Sequence, residues 1–388
     1  MNFRLNSDVI CVLSTLSAHG YEAYIVGGSV RDMIIGKTPT DYDITTSATP
    51  EEIKAAFSGE RIIETGIKHG TVTVMYGGNP YEITTYRIDV GYSDNRHPDE
   101  VAFTASLNED LARRDFTVNA MCIDKDGNLV DIFDGVGDIR RAVIRAVGNP
   151  VRRFSEDSLR ILRALRFAST LGFSLDAATA EAAVSLADLL GNVSSERIYA
   201  ELKKLIGGIG AYDVITEFKD IIKVILPRAN IVLGDKERFL SLSPKERLIS
   251  LYASADDFAN DMDALRADGR MRRLGMDVLA HIGADISTVS DALRLLSEID
   301  ESAISLARIR RYFLNDSSLD LLEDALASGV PYKYKNLALS GADLTSLGYR
   351  GKEVGDALKT ALFGAMNGKV KNENDALLRY VLTHKSKL

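Results

Sequence analysis

Asp41 and Asp43, one residue apart, are the side chains of this sequence best suited to hold a divalent cation. On a strand, positions i and i+2 point to the same side, so the pair clamps an oxygen-seeking cation against the phosphates of a substrate. Just upstream runs Gly27-Gly28-Ser29-Val30-Arg31-Asp32, between an apolar stretch and a helical pattern. Two glycines there let the backbone approach a phosphate, and a helix N-terminus offers free N–H groups to it. Taken singly, Gly-Gly is also what a tight turn needs, and Asp-x-Asp is common in loops. Their succession in this order is more specific than either.

The elements that must position these residues can be read from local pattern. Val9 to Ala18 predicts a helix and Glu22 to Val26 a strand ending at Gly27-Gly28. Ser29 to Ile35 predicts a helix closed by Gly36, and Asp41 to Thr45 a second strand. Thr49 caps a helix running to Phe57, with Pro50 at its first position and Glu51 and Glu52 in its first turn. Gly70 to Tyr76 and Tyr81 to Arg87 are β-rich and are joined by the turn Gly77-Gly78-Asn79-Pro80. Beyond about residue 150 strand signals almost vanish. Phe154 to Leu171 is strongly helical, with Leu159, Leu162, Leu165 and Phe167 among its apolar positions and arginines on another stripe.

A chain of 388 residues with 46% hydrophobic and 26% charged residues suggests two to four compact units with ample core. Its two cysteines, Cys11 and Cys122, form no C-x-x-C pair, which points to a reduced compartment. The first residues lack the apolar region of a secretory signal, and no stretch has the roughly 18 apolar residues of a membrane span. A cytoplasmic protein is expected. The net charge of −8 argues by itself against a nucleic-acid partner, but the charge is uneven. Eight arginines lie between Arg140 and Arg166. From Pro331 onward ten Lys and Arg face five Asp and Glu, whereas residues 211–330 carry 15 bases against 21 acids. Two basic zones flanking an acidic one suit a long polyanion gripped at two places; solvated helix faces explain them equally well.

The order of motifs resembles the class II tRNA nucleotidyltransferases and bacterial poly(A) polymerases of the DNA polymerase beta superfamily. Gly27 to Asp32 with Asp41-x-Asp43 is similar to that family's first motif, and Thr65 to Val72 to the segment before its second hairpin. Arg113-Arg114-Asp115-Phe116-Thr117-Val118-Asn119-Ala120 is similar to its ribose-recognition motif, and Asp131 to Ile139 to its hinge. Glu156 to Arg163 is similar to its nucleobase-recognition motif, and Ser194 to Ile198 to the motif closing the neck. The resemblance covers residues 25–205; the helical second half agrees in character but has no sharp motif. It implies an α/β nucleotidyltransferase head with a mixed five-stranded sheet (residues 1–149), followed by an all-α neck (150–206), body (207–325) and tail (326–388). The enzyme it implies adds CCA to tRNA from CTP and ATP, releasing pyrophosphate, with Mg²⁺ as cofactor.

Beside the resemblance, the residues suggest their own chemistry. Asp41 and Asp43 are expected to hold Mg²⁺ and to lower the pKa of the attacking 3′-hydroxyl. Glu82, on a strand, is either a third catalytic carboxylate facing them or an ordinary exposed strand residue. Gly27, Gly28, Ser29, Arg31 and Asp32 are expected at the triphosphate. Arg114, Asp115 and Asn119 are expected at the ribose; Asp115 and Asn119, four apart, share a face if helical, and they would equally serve as helix caps. Asp157 and Arg160 share a face of a helix and are either an i,i+3 surface salt bridge or a protein stand-in for a template base, with Glu156 orienting the arginine. Arginine donates and aspartate accepts, a match for cytosine and adenine and a mismatch for uracil and guanine. Arg163 and Arg166 are expected to reach phosphate or RNA.

A polar stretch from Ile88 to Pro98 lacks periodicity and predicts a mobile loop, the counterpart of one the family uses to switch from C to A addition. Here the sequence departs from the family: His97 stands where an arginine is commoner, and Asp134 replaces a hinge glycine. The five histidines are scattered with no adjacent His-Asp pair, which argues against a metal-dependent phosphohydrolase centre, and no Gly-x-x-x-x-Gly-Lys-Ser/Thr run occurs. A poly(A) polymerase would keep every motif and differ in its use of CTP and its stopping point; a CC-adding enzyme is expected to lack the loop, and an A-adding one is the other partial form. A non-catalytic RNA-binding module would have no need for paired carboxylates. Monomer and homodimer are both compatible with the sequence.

Overall fold

The computed structural model describes residues 3–90 and 100–384, so His97 and most of the predicted loop lie outside the described residues. The chain divides into two compact units, Met1–Pro227 and Arg228–Leu388.

The first unit begins with helix α1 (Ser7–Ala18), strand β1 (Ala23–Val26), helix α2 (Gly28–Ile34), strand β2 (Asp43–Thr46) and helix α3 (Pro50–Ala56). Strands β3 (Arg61–Ile63), β4 (Thr71–Tyr76) and β5 (Asn79–Thr85) follow. Next come β6 (Arg87–Val90) and β7 (Glu100–Phe103), helix α4 (Leu107–Ala112), strands β8 (Met121–Ile123) and β9 (Leu129–Asp131), and helix α5 (Gly135–Arg141). The sheet order is β3-β4-β5-β2-β1-β8-β9. Only β2 and β5 pair in parallel; the other neighbours are antiparallel. The mixed sheet thus has seven strands rather than five. The extra ones are three residues long, too short for alternation to register in sequence. Val9, Val12, Leu13 and Leu16 of α1 pack with Ile25, Ile44, Val72 and Ile83 of the sheet, alternate strand positions that all reach the same core. Thr49 caps α3 in a capping box with Glu52, and Pro50 takes the first turn.

Two local readings change. Ile88 to Val90, expected in the loop, belongs to β6, which pairs antiparallel with β7 in a separate ribbon. The helix expected from Phe154 to Leu171 is two helices, α6 (Pro150–Glu156) and α7 (Leu159–Leu171). Asp157 adopts extended backbone (φ −136, ψ 103), and its Oδ1 accepts the Leu159 N–H at 3.1 Å, so the side chain ends one helix and starts the next. Helix α8 (Ala177–Ser185) leads to α9 (Ser195–Gly207), which packs along α7. Ser169 on α7 donates to the Leu205 carbonyl of α9 at 2.5 Å. Val143–Ile144 pairs in parallel with Ser174–Leu175 and ties these helices to the sheet-bearing part of the unit.

Among its described residues the second unit is helical and without strands. Within it Leu339, Leu344, Tyr349, Ala357, Ala361, Ala365, Leu377 and Val381 form a core of their own. No described helix is long and apolar enough to cross a membrane.

Candidate active site

The sheet sets the first cluster. Val26 of β1 pairs with Asp43 of β2, and Asp43 pairs with Glu82 of β5. Three chain segments therefore bring Gly27, just past the end of β1, Asp43, at the start of β2, and Glu82, midway along β5, close together. Asp41 sits in the bend just before β2 rather than in the strand, where its Oδ1 accepts from the Thr40 hydroxyl at 3.0 Å. The pairing of β2 starts at Asp43, which is also where β1 ends, at Val26. Asp43 touches solvent, yet the protein crowded behind it and then Glu82 push its carboxyl up from the usual range; Arg114 opposes them, and Asp41 adds a lesser push. Crowded carboxylates of this kind are relieved by a bound cation. Among the described residues no group of three His, Cys, Asp or Glu side chains closes into a ligand set; Glu82 stands opposite Asp43 in the strand register and acts on its carboxyl through charge.

Gly27 has φ +80°, the left-handed region that favours glycine, and it lies close to both the arginine and the aspartate: a Cβ there would touch Arg114 Nη1 at 3.4 Å and Asp43 Oδ2 at 3.8 Å without crowding them. Gly28 opens α2, but Ser29 is buried and its hydroxyl donates back to the Val26 carbonyl at 3.2 Å. Arg31 bridges outward. Its Nε and Nη2 bond Asp32 Oδ1 at 3.0 and 2.8 Å, and its Nη1 bonds Asn119 Oδ1 at 2.8 Å.

Asn119 lies in a short 3₁₀ turn, Thr117–Asn119, and not in an α-helix with Asp115. The two still meet, Asn119 Nδ2 donating to Asp115 Oδ1 at 3.2 Å. Asp115 Oδ2 receives Arg163 Nε at 2.9 Å and Nη2 at 2.5 Å. Burial alone would raise the Asp115 carboxyl, but Arg163, Asn119 and Arg160 together bring it down to about 2.

Of the two alternatives for Asp157 and Arg160, the i,i+3 salt bridge between them does not form; each has a separate anchor. Asp157 Oδ2 accepts Arg197 Nη2 of α9 at 3.2 Å. Arg160 is 8% exposed, and its Nη1 donates to Glu156 Oε2 at 2.9 Å while its Nη2 donates to the Arg113 carbonyl at 3.2 Å. The helix break at Asp157 is the cause, since it turns the aspartate away from the i,i+3 position. Arg163 and Arg166 are also engaged by carboxylates of the fold, Arg163 keeping a third of its side chain exposed. Arg166 Nε bonds Glu201 Oε2 at 2.8 Å, and its guanidinium lies 3.5 Å from the Phe167 ring centroid. Arg31 and Arg163 flank the same ring at 5.3 and 5.5 Å. Arg114 Nε, Arg197 Nη1 and Ser158 Oγ are buried without a hydrogen-bond partner among the described residues, so each has capacity to spare for a ligand.

A continuous chain of polar contacts thus runs from Asp32 through Arg31, Asn119, Asp115 and Arg163 to α9. Three residues beside this chain were not singled out by motif: Glu201 at its α9 end, Phe167 under its arginines, and Asp110, which holds Arg113 and Arg114. Asp110 was detectable, because Arg113 and Arg114 stand at i+3 and i+4 from it; Glu201 and Phe167 join through contacts distant in sequence.

The family model described as "Poly A polymerase head domain" matches residues 23–145, and the one described as "Probable RNA and SrmB- binding site of polymerase A" matches residues 172–220. A CCA-adding enzyme of Lactobacillus delbrueckii subsp. bulgaricus is 38% identical over 395 residues, covering 95% of this chain and 96% of its own. One from Geobacillus stearothermophilus is 37% identical over 397 residues, covering 97% and 96%. Among solved structures, the Bacillus stearothermophilus CCA-adding enzyme in complex with CTP superposes with a TM-score of 0.81 at 31% identity, covering 98% of this chain and 97% of that one. A Thermotoga maritima CCA-adding enzyme complexed with tRNA shares the fold, with a TM-score of 0.74 at 20% identity. With such likeness running almost end to end, the chain belongs to the class II CCA-adding enzyme and poly(A) polymerase family, whose nucleotidyltransferases use a divalent metal.

Proposed function

We propose that this enzyme adds C, C and A to the 3′ end of tRNA from CTP and ATP, releasing pyrophosphate, with Mg²⁺ as its metal. The observation that carries the reading is end-to-end kinship with relatives named CCA-adding enzymes, at 38% identity over 95% of the chain. Asp41 and Asp43 would hold the metal, and the crowding of Asp43 by Glu82 and Asp41 suits that task. A divalent ion held there neutralises phosphate charge and makes the 3′-hydroxyl of the RNA a better nucleophile. Gly27 and Gly28 bring backbone to the triphosphate, with Arg31 and Arg114 nearby as its charged neighbours. Asn119 and Asp115 face the ribose.

Asp157 and Arg160 read the base from fixed positions, each with its own anchor in Arg197 and Glu156. Cytosine and adenine both offer an acceptor nitrogen beside an amino donor, which this pair satisfies. Uracil and guanine would leave buried polar groups unmatched, costing about 1–3 kcal/mol each. Arg163 holds Asp115, and Arg166 holds Glu201 and with it α7 on α9; the exposed part of Arg163 is left to meet phosphate or RNA. We assign the catalytic head to residues 1–149, the base-reading neck to 150–206, a helical body to 207–325 and a tRNA-gripping tail to 326–388. The work is done where tRNA, ATP and CTP are found, in the cytoplasm.

The test uses tRNA transcripts ending before CCA, after C and after CC, with CTP and ATP supplied singly and together, and products resolved to one nucleotide. Addition of C, C and A with a clean stop is expected. D41A and D43A should each abolish incorporation and leave tRNA binding within about twofold of wild type. Long A tails without C would make the enzyme a poly(A) polymerase. Binding without any addition would leave an RNA-binding module.

A further inference from the structure

Asp110 is a carboxylate on α4 to which none of the roles above belongs. It is 0% exposed, a position where an ionised aspartate persists only when its oxygens are paired. Oδ1 accepts Arg113 Nε at 3.0 Å and Nη2 at 2.8 Å, and the backbone N–H of Arg87 at 3.4 Å. Oδ2 accepts Arg114 Nη2 at 3.2 Å and the Thr45 hydroxyl at 3.1 Å. Burial pushes this carboxyl up, but Arg113 and Arg114 outweigh it and hold it below the usual carboxylate range.

Each partner leads to a different part of the site. Thr45 is on β2, two residues from Asp43. Arg87 begins β6, the root of the β6–β7 ribbon. Arg113 accepts Arg160 through its backbone carbonyl. Arg114 extends its free Nη1 toward Gly27 and Asp43. Asp110 is the only side-chain acceptor that the Arg114 guanidinium has among the described residues, and its Nε is buried with none. A guanidinium serving the fold alone would have its donors matched. This one hangs on a single carboxylate, with its Nε and Nη1 nitrogens unused among the described residues, near the end of the strands where Gly27 and Asp43 meet.

We propose that Asp110 is a positioning residue for the incoming nucleotide, fixing the Arg114 guanidinium where the triphosphate passes Gly27 and Asp43 and steadying the Arg113 carbonyl behind Arg160. This rests on the nucleotide site assigned above. Asp110 touches neither substrate nor metal; its effect passes through the two arginines.

The experiment compares wild type, D110N and the milder T45V, which removes one hydrogen bond to Asp110 and keeps the side-chain shape. Three quantities are read: CTP binding to the free enzyme by equilibrium dialysis, KM and kcat for single additions of C and A, and the dissociation constant for tRNA. D110N should weaken CTP binding and lower kcat/KM for both nucleotides by about tenfold or more, T45V by about threefold, with the tRNA constant unchanged in both. A folded D110N that binds CTP like wild type overturns the proposal, as does a loss that falls equally on nucleotide and tRNA, the mark of a purely structural role. Should D110N fail to fold, T45V decides alone, and unchanged nucleotide binding there overturns the proposal. Wild-type enzyme that adds no nucleotide removes the functional reading and this inference together, whereas an active wild type with unaffected variants removes the inference only.

Discussion

Asp115 shows how one carboxylate is tuned by what surrounds it. Burial disfavours its charged form, yet two hydrogen bonds from Arg163, one from Asn119 and the nearby charge of Arg160 bring its carboxyl to about 2. A folded value below the unfolded one means stability that is present above the unfolded pKa and lost as pH falls through the folded one. For Asp115 the window runs from about pH 4 down to about pH 2, and the stability at stake is about 2 kcal/mol. D115N should therefore be less stable than wild type at neutral pH and lose part of its sensitivity to acid. Urea midpoints taken from pH 7 down to the acid transition measure both. Parallel midpoint curves for wild type and D115N would show that Asp115 is not a low-pKa carboxylate in the folded chain.

At the level of elements, close backbone approaches decide which substitutions the head tolerates. Helix α5 starts at Gly135, whose missing Cβ leaves room for the Thr117 carbonyl; a methyl group there would stand 2.4 Å from that oxygen and 2.8 Å from Met121 Sδ. Because the obstacle is backbone, the turn itself must move. G135A should cost about 1–3 kcal/mol as an overpacking strain, read as a lower thermal midpoint, and an unchanged midpoint would mean that the α5 turn yields freely. The neighbouring Asp134, the departure from a hinge glycine noted in the sequence, has φ +57°, a conformation aspartate tolerates better than most residues, and its carboxylate holds Arg141 at 2.7 Å. What was legible in sequence was local: the Thr49–Pro50–Glu52 cap, the Gly27-Gly28 turn and the strand bearing Asp43. What was not legible depends on partners far along the chain. The break at Asp157 disappears in an apolar pattern that continues across it, and Asp157's anchor, Arg197, lies 40 residues on. Arg163 and Arg166 are a stripe of free cations in sequence, but their acceptors are 48 and 35 residues away. Strands of three residues carry no readable period.

For the molecule as a whole, the structure redistributes the meaning of its charge. Of the two basic zones in a chain of net charge −8, the first is divided: Arg153 and Arg160 meet Glu156, Arg163 meets Asp115 and Arg166 meets Glu201, whereas Arg140, Arg141 and Arg152 are exposed. The former arginines hold the fold and have little charge left for a polyanion. In residues 331–388 the situation differs. Lys352, Lys359, Lys369 and Lys371 are exposed and form no ion pair among the described residues. Sequence-independent attraction to tRNA phosphates should therefore reside mainly in the tail, and it should be salt-dependent, because each neutralised phosphate releases condensed counterions. The double variant K369A/K371A should raise the KM for tRNA and leave kcat intact, and should make the plot of log affinity against log salt shallower by up to about two units. The matching change in the neck, R152A, removes an arginine already paired with Glu156 and should alter the slope less. Filter binding across a salt series separates the two. If R152A flattened the slope and the tail variant did not, the cations that meet RNA would belong to the neck, and the tail's positive charge would be the ordinary solvation of a helical surface.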